Sequence, residues 1–277
     1  MNVEELIRLT NVTKKFKKTA ILENINFSVY KGSSIALTGN NGVGKSTLLK
    51  MIANLSSVTA GSIVYNGDYL FHYVPEHFPR SKLTVLQYLE LMSQIDGILP
   101  DARHRRIESL LQDFFMEQMI ATPLCYLSKG SLQKVGVIQA LLVTPDILLL
   151  DEPLSGQDAN SQLVFIAKMK DLLAIGVTII MSCHEKDLVN EISDTVIEIK
   201  NKKIEILQYE KYETFERYAL VFADEKGGLI LPELDFPVKR VDGVVKMHVE
   251  TGHTDEVISM MMNNGWSLRS MYNEKNN

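Results

Sequence analysis

The sequence predicts an α/β fold built on a largely parallel β-sheet with helices on both faces. Short apolar runs at Ser34–Thr38, Ile147–Leu150 and Val177–Met181 have the texture of strands buried on two sides. Helix-like segments over 46–53, 83–95, 102–118, 131–143 and 158–173 lie around and between them. Strands alternating with helices in this way close into a parallel sheet.

Taken in order, residues 6–12 and 21–29 read as strands, the second carrying Leu22, Ile25, Phe27 and Val29 and ending at Lys31-Gly32. The strand 34–38 runs through a glycine-rich turn into a helix from Ser46 to Ala53. Thr84 and Gln87 form a capping-box pattern ahead of an amphipathic helix to Ile95, with Val85, Tyr88, Leu89, Met92 and Ile95 on one face. The helix over 102–118 is more charged, with Arg103, Arg105 and Arg106 near its start. Asp158 is placed to cap a helix that runs to Leu173.

After residue 200 the texture changes. Lys200-Asn201-Lys202-Lys203 is a polar turn, and strand-like runs follow at 218–222, 244–249 and 266–270 with a helix over 255–263. The expected organisation is a main α/β domain over 1–207, with a helical part near 80–143, and a small α+β appendage over 208–277. Met260-Met261-Met262 and Trp266 read as core of that appendage, and the last five residues as frayed.

Of the 277 residues, 45% are hydrophobic and 23% charged, the balance of a globular protein with a sizeable core. A formal net charge of −5 gives no electrostatic footprint for nucleic acid, and none is expected as a partner. Two cysteines, Cys125 and Cys183, are too few for a disulfide framework and read as small buried residues in a reducing compartment. The polar N-terminus is unlike a signal peptide, and no run of about 18–20 apolar residues is present. A cytosolic chain is expected.

Chemistry enters at Gly39-Asn40-Asn41-Gly42-Val43-Gly44-Lys45-Ser46, followed by Thr47, a full match to the phosphate-binding pattern G-x-x-x-x-G-K-[ST]. The glycines permit a tight turn that aims backbone N–H groups inward, and the helix N-terminus adds partial positive charge. Lys45 supplies a cation for the β- and γ-phosphates of ATP, and the Ser46 hydroxyl is placed for Mg2+. The second element is Asp151-Glu152, at the C-terminal end of the apolar run from Ile147, where open α/β sheets bind ligands. Neighbouring strand residues face opposite ways, so the two acids divide the work. Asp151 is the metal-side carboxylate, and Glu152 orients or deprotonates the attacking water.

With these residues in place, the chain over about 4–205 resembles the nucleotide-binding subunits of ATP-binding cassette (ABC) transporters. Leu127-Ser128-Lys129-Gly130-Ser131 resembles that family's signature, usually L-S-G-G-Q, and departs from it at Lys129 and Ser131. Leu154-Ser155-Gly156-Gln157-Asp158 resembles the D-loop, and His184 the switch histidine that contacts the γ-phosphate. Phe16 resembles the aromatic residue that stacks on adenine. Glu76, in Tyr73-Val74-Pro75-Glu76, stands where the family has its Q-loop glutamine, near the metal. The helix 83–95 lies where relatives dock a membrane subunit, although its apolar stripe fits a core position equally well.

The resemblance implies a P-loop NTPase domain of ABC type, with an antiparallel β portion and a helical subdomain. It implies two ATPase subunits, most simply a homodimer, meeting head to tail with ATP between the P-loop of one and Ser128 and Gly130 of the other. It implies a separate polytopic membrane partner and a place on the inner face of the cell membrane. Lys129 is familiar in export-type members, so export is the expected direction. The alternative is a soluble ATPase of the same superfamily, acting on DNA or a protein scaffold. Against it stand the acidic charge and the 106 positions from Lys45 to Asp151, too few for a long coiled-coil insertion.

Overall fold

The computed structural model describes residues 4–207, 217–224, 227–232, 238–241, 243–250 and 253–273. The chain divides into two units, Met1–Lys211 and Tyr212–Asn277. The expected boundary at 208 and residues 274–277 of the expected frayed end lie outside the described residues.

In the first unit, alternating burial builds a small antiparallel sheet from β1 (Glu5–Phe16) and β2 (Thr19–Tyr30), both longer than their sequence patterns suggest. Strand β3 (Ser34–Thr38) leads into helix α1 (Lys45–Ile52), and β4 (Ala60–Tyr65) returns to pair with β1. After β5 (Phe71–Val74) come α2 (Val85–Ile95), α3 (Pro100–Asp113) and α4 (Lys129–Leu141). The rest is β6 (Ile147–Asp151), α5 (Ala159–Ala174), β7 (Thr178–Ser182), α6 (Lys186–Ile192) and the hairpin β8 (Thr195–Lys200) with β9 (Lys203–Leu207). The main sheet runs β5-β6-β7-β3-β8-β9, parallel except for β9. The α/β class read from the sequence is the fold observed.

Period-two alternation divides the central strands between two cores. Ile147 and Leu149 pack with α1 and the antiparallel sheet, whereas Leu148 and Leu150 face α2–α6. Ile35 and Leu37 against Ala36, and Ile180 against Ile179 and Met181, divide the same way. A strand buried on both sides needs apolar residues at every position, which is why these runs are continuous.

Three local expectations are corrected. Helix α3 stops at Asp113 instead of 118, because Phe115 takes a left-handed conformation (φ 57°). The Met116 N–H then donates to Leu111 O at 2.8 Å and Phe115 N–H to Gln112 O at 3.1 Å, a Schellman closure made without glycine. The capping box of α2 forms as expected, but Ile95 is 72% exposed, and Ser93 completes the inner face with Val85 and Leu89. Cys183 is buried, while Cys125 is only half-buried.

In the second unit, β10 (Arg217–Ala223), β11 (Val238–Val241), β12 (Val244–Glu250) and β13 (Ser267–Asn273) form an antiparallel sheet in the order β11-β12-β10-β13. Helix α7 (Thr254–Asn263) packs on it through Val257 and Met261 against Phe222, Met247 and Trp266. Met261 and Trp266 are core, but Met262 is 55% exposed, since adjacent helical positions point about 100° apart.

Candidate active site

The C-terminal end of β3 opens into the turn 39–44, which α1 follows directly. Gly44 caps α1 at φ +114°, and a Cβ there would stand 2.9 Å from Ile21 Cγ2. No side chain caps the first turn of α1, whose Lys45, Ser46 and Thr47 line an open cleft. That cleft has a volume of about 380 Å³ and is lined by Phe16, Gly42, Lys45, Thr47, Glu76 and Glu152, among others. Lys45 is 5% exposed, and its Nζ donates to Gly39 O at 2.9 Å, with Asn40 O at 3.5 Å. Val43 packs half-buried beside α1, and Asn41 joins the cleft wall.

Strand β6 ends at Asp151, which is buried. Its Oδ1 accepts from Ser46 Oγ at 3.0 Å and Ser182 Oγ at 2.7 Å, and its Oδ2 from Tyr73 OH at 3.2 Å. Burial and the Asp151 charge push the Tyr73 phenol well above its ordinary range, which keeps it protonated as a donor. Glu152 leaves the strand at φ 49°, rare for a residue with a side chain. Its N–H donates to both Ser182 O (3.1 Å) and Ser182 Oγ (3.0 Å). A backbone turn therefore separates the two acids, and the strand alternation expected from sequence does not apply at Glu152.

His184 follows β7 and places Nε2 2.9 Å from Lys45 Nζ and 3.1 Å from Glu152 Oε1. Lys45 Nζ is 3.7 Å from the same carboxylate oxygen. Three chain segments thus converge beside the cleft, where His184 touches two of its lining residues, Lys45 and Glu152.

Other candidate residues lie apart from this cluster. Ser128 caps α4, accepting from Ser131 N–H at 3.0 Å, and does not line the cleft. Gly130 backs onto the turn after β6, where a Cβ would fall 2.0 Å from Gly156 O. Asp158 caps α5 through Ser161 N–H (3.0 Å) and pairs with Lys134 at 2.9 Å. Phe16 lines the cleft mouth at 54% exposure, with Lys14 Nζ 5.1 Å above its ring. Glu76 lines the cleft 3.8 Å from Lys129.

Sequence reasoning missed Tyr73 and Ser182. Each carried a faint signal: Tyr73 sits three positions before Glu76, and Ser182 is the polar end of an apolar strand, as Asp151 is.

The fold and this cleft define a P-loop nucleoside-triphosphatase. The family model described as "ABC transporter" matches residues 22–155. An uncharacterised ABC transporter ATP-binding protein of Bacillus subtilis, YybJ, is 30% identical over 213 residues, covering 72% of this chain and 95% of that protein. The spermidine/putrescine import ATP-binding protein PotA of Marinobacter nauticus is 31% identical, covering 86% of this chain and 66% of its own length. A solved ATP-binding subunit of an ABC transporter superposes with TM-score 0.68 at 27% identity, over 74% of this chain and 90% of that one. The chain belongs to the ABC transporter ATP-binding family, whose members bind and hydrolyse ATP. Among the described residues, no helix is long and apolar enough to cross a membrane.

Proposed function

We propose that this chain is the ATP-hydrolysing subunit of an exporter, driving a separate polytopic membrane protein from the inner face of the cell membrane. The observation that carries the hydrolytic part of the reading is the convergence of Lys45, Glu152 and His184 beside the P-loop. In it, the turn 39–44, Lys45, Ser46 and Thr47 hold the phosphates, and Phe16 stacks on the base. Glu152 accepts a proton from, or aligns, the water that attacks the γ-phosphorus. His184 donates to a γ-phosphate oxygen, and Lys45 meets the charge that spreads over those oxygens in the transition state.

The donor set beside the cleft suits Mg2+. Ser46 Oγ and Asp151 Oδ1 are hard oxygen ligands 3.0 Å apart. Among the described residues, no group of three His, Cys, Asp or Glu side chains could hold a metal alone, which fits an ion that relies on substrate oxygens and water. Ser46 and Asp151 would hold it, with Glu76 nearby, and the ion would neutralise phosphate charge.

Neither Ser128 nor Gly130 lines this chain's own cleft, so in this reading they serve another site. A second copy, turned head to tail, supplies its Ser128, Gly130 and D-loop, including Asp158, to the γ-phosphate. In this reading 1–207 is the ATPase domain, with 80–143 as its helical part, and 208–277 is an accessory domain. Export rests on Lys129 in the signature; the relative PotA is named for import.

Purified chain should hydrolyse ATP, and Glu152→Gln should keep ATP binding while losing about 100-fold or more of turnover. Tagged Glu152→Gln, recovered from detergent-solubilised membranes with MgATP, should bring down a polytopic membrane protein in stoichiometric amount. Uptake of that partner's substrate into inside-out vesicles then reads export. Recovery with DNA or a soluble scaffold instead would move the chain to the soluble branch of the superfamily.

A further inference from the structure

Two of the residues at which this chain departs from its family's usual pattern meet in space. Lys129 Nζ stands 3.8 Å from Glu76 Oε1 and donates to Ser155 Oγ at 2.8 Å. The three residues belong to separate segments: Glu76 follows β5, Lys129 opens α4, and Ser155 lies in the turn after β6. The backbone beside Lys129 is held in place, because Gly130 presses against Gly156 with no room for a Cβ. Glu76 lines both the nucleotide cleft and an adjoining groove of about 480 Å³, which Lys129, Arg80 and Gln133 also line. His77 Nδ1 is 3.5 Å from the same carboxylate oxygen, and the Tyr73 phenol also feels the Glu76 charge.

A carboxylate on the wall of a site for a polyphosphate repels it to the extent that no cation offsets the charge, since like charges repel across a partly dry cleft. A neutral amide at that position would carry no such cost. We propose that Lys129 is a charge-compensating positioning residue: it holds the Glu76 carboxylate at the cleft wall and offsets its charge, so that ATP enters without repulsion. The inference rests on the cleft being the ATP site. It gives the unusual signature lysine a role within its own subunit, and it makes the two departures one functional unit. Both side chains are part-exposed, so the pair is worth up to about five-fold in affinity and weakens with salt.

A double-mutant cycle on the full chain tests this, reading binding of a fluorescent ATP analogue and steady-state ATPase kinetics. Lys129→Ala should weaken binding and raise KM two- to five-fold at low salt, with a smaller change in kcat. The same substitution in the Glu76→Gln background should have no effect on KM, Lys129→Arg should keep the wild-type KM, and added salt should shrink the loss. An equal loss in both backgrounds, or none in either, overturns the proposal. Absence of analogue binding by the wild-type chain would instead overturn the ATP-site reading, so the two failures are distinct.

Discussion

The hydroxyl of Ser182 donates to Asp151 Oδ1 at 2.7 Å while accepting from the N–H of the next residue, Glu152, at 3.0 Å. One small side chain at the end of β7 thereby ties the Asp151 carboxylate to the residue that follows it. A buried carboxylate oxygen and a backbone N–H each have one of their two partners in it.

Ser182→Ala should therefore cost about 1–3 kcal/mol, the range for leaving buried polar groups with fewer partners. Urea unfolding followed by circular dichroism measures it. ATP turnover should fall further than the stability change alone explains, because Glu152 loses part of what fixes its position. A variant with wild-type stability and turnover would show that the link is incidental.

Gly130→Ala should be as damaging as a core overpacking change. Its new methyl would lie 2.0 Å from Gly156 O, a contact with backbone that no rotamer relieves. About 1–3 kcal/mol of stability should be lost, and the start of α4 should move away from the turn after β6. Thermal unfolding and protease sensitivity around 128–156 report on the two effects.

The cysteines should react unequally. Burial, with Glu185 nearby, pushes the Cys183 thiol up to about 12, so it holds almost no thiolate at neutral pH. Cys125 is half-buried. Iodoacetamide on native protein at pH 7.5, followed by peptide mass spectrometry, should modify Cys125 alone, with Cys183 labelled only after unfolding. Rapid native labelling of Cys183 would contradict its burial in the core just after β7.

Acid should release the cap of α5. The Lys134 ammonium beside Asp158, with the Ser161 hydroxyl and N–H, holds its carboxyl well below the usual carboxylate range. A depressed folded value means that the contribution is complete above the unfolded carboxyl value near 4 and is lost as pH falls through the folded one. Wild type should exceed Asp158→Asn in stability by a constant margin from pH 6 to 7, and the margin should shrink below about pH 4. Denaturant midpoints from pH 3 to 7 give the comparison.

Much of this architecture was legible locally. The buried strands announce themselves because both neighbours along the chain must be apolar, as at Ile147–Leu150. The capping box of Thr84 and Gln87, and Asp158 as an N-cap, need only three-residue spacing. Strands β4, β5, β8, β9 and β11 left no such trace: none is a continuous apolar run, and β4 and β9 lie partly in solvent, so their identity depends on what pairs beside them.

By itself the sequence determined the phosphate loop at 39–46, the acids at the end of an apolar strand, and hence an α/β nucleotide-binding protein. These are local patterns, set by backbone conformations and side-chain types a few positions apart. The tertiary structure decided that Tyr73 and Ser182 satisfy Asp151, that Glu152 turns off its strand, and that Lys129 reaches Glu76. Such contacts join positions about 30 to 80 apart in the chain, where loop closure and packing, not periodicity, choose the neighbours.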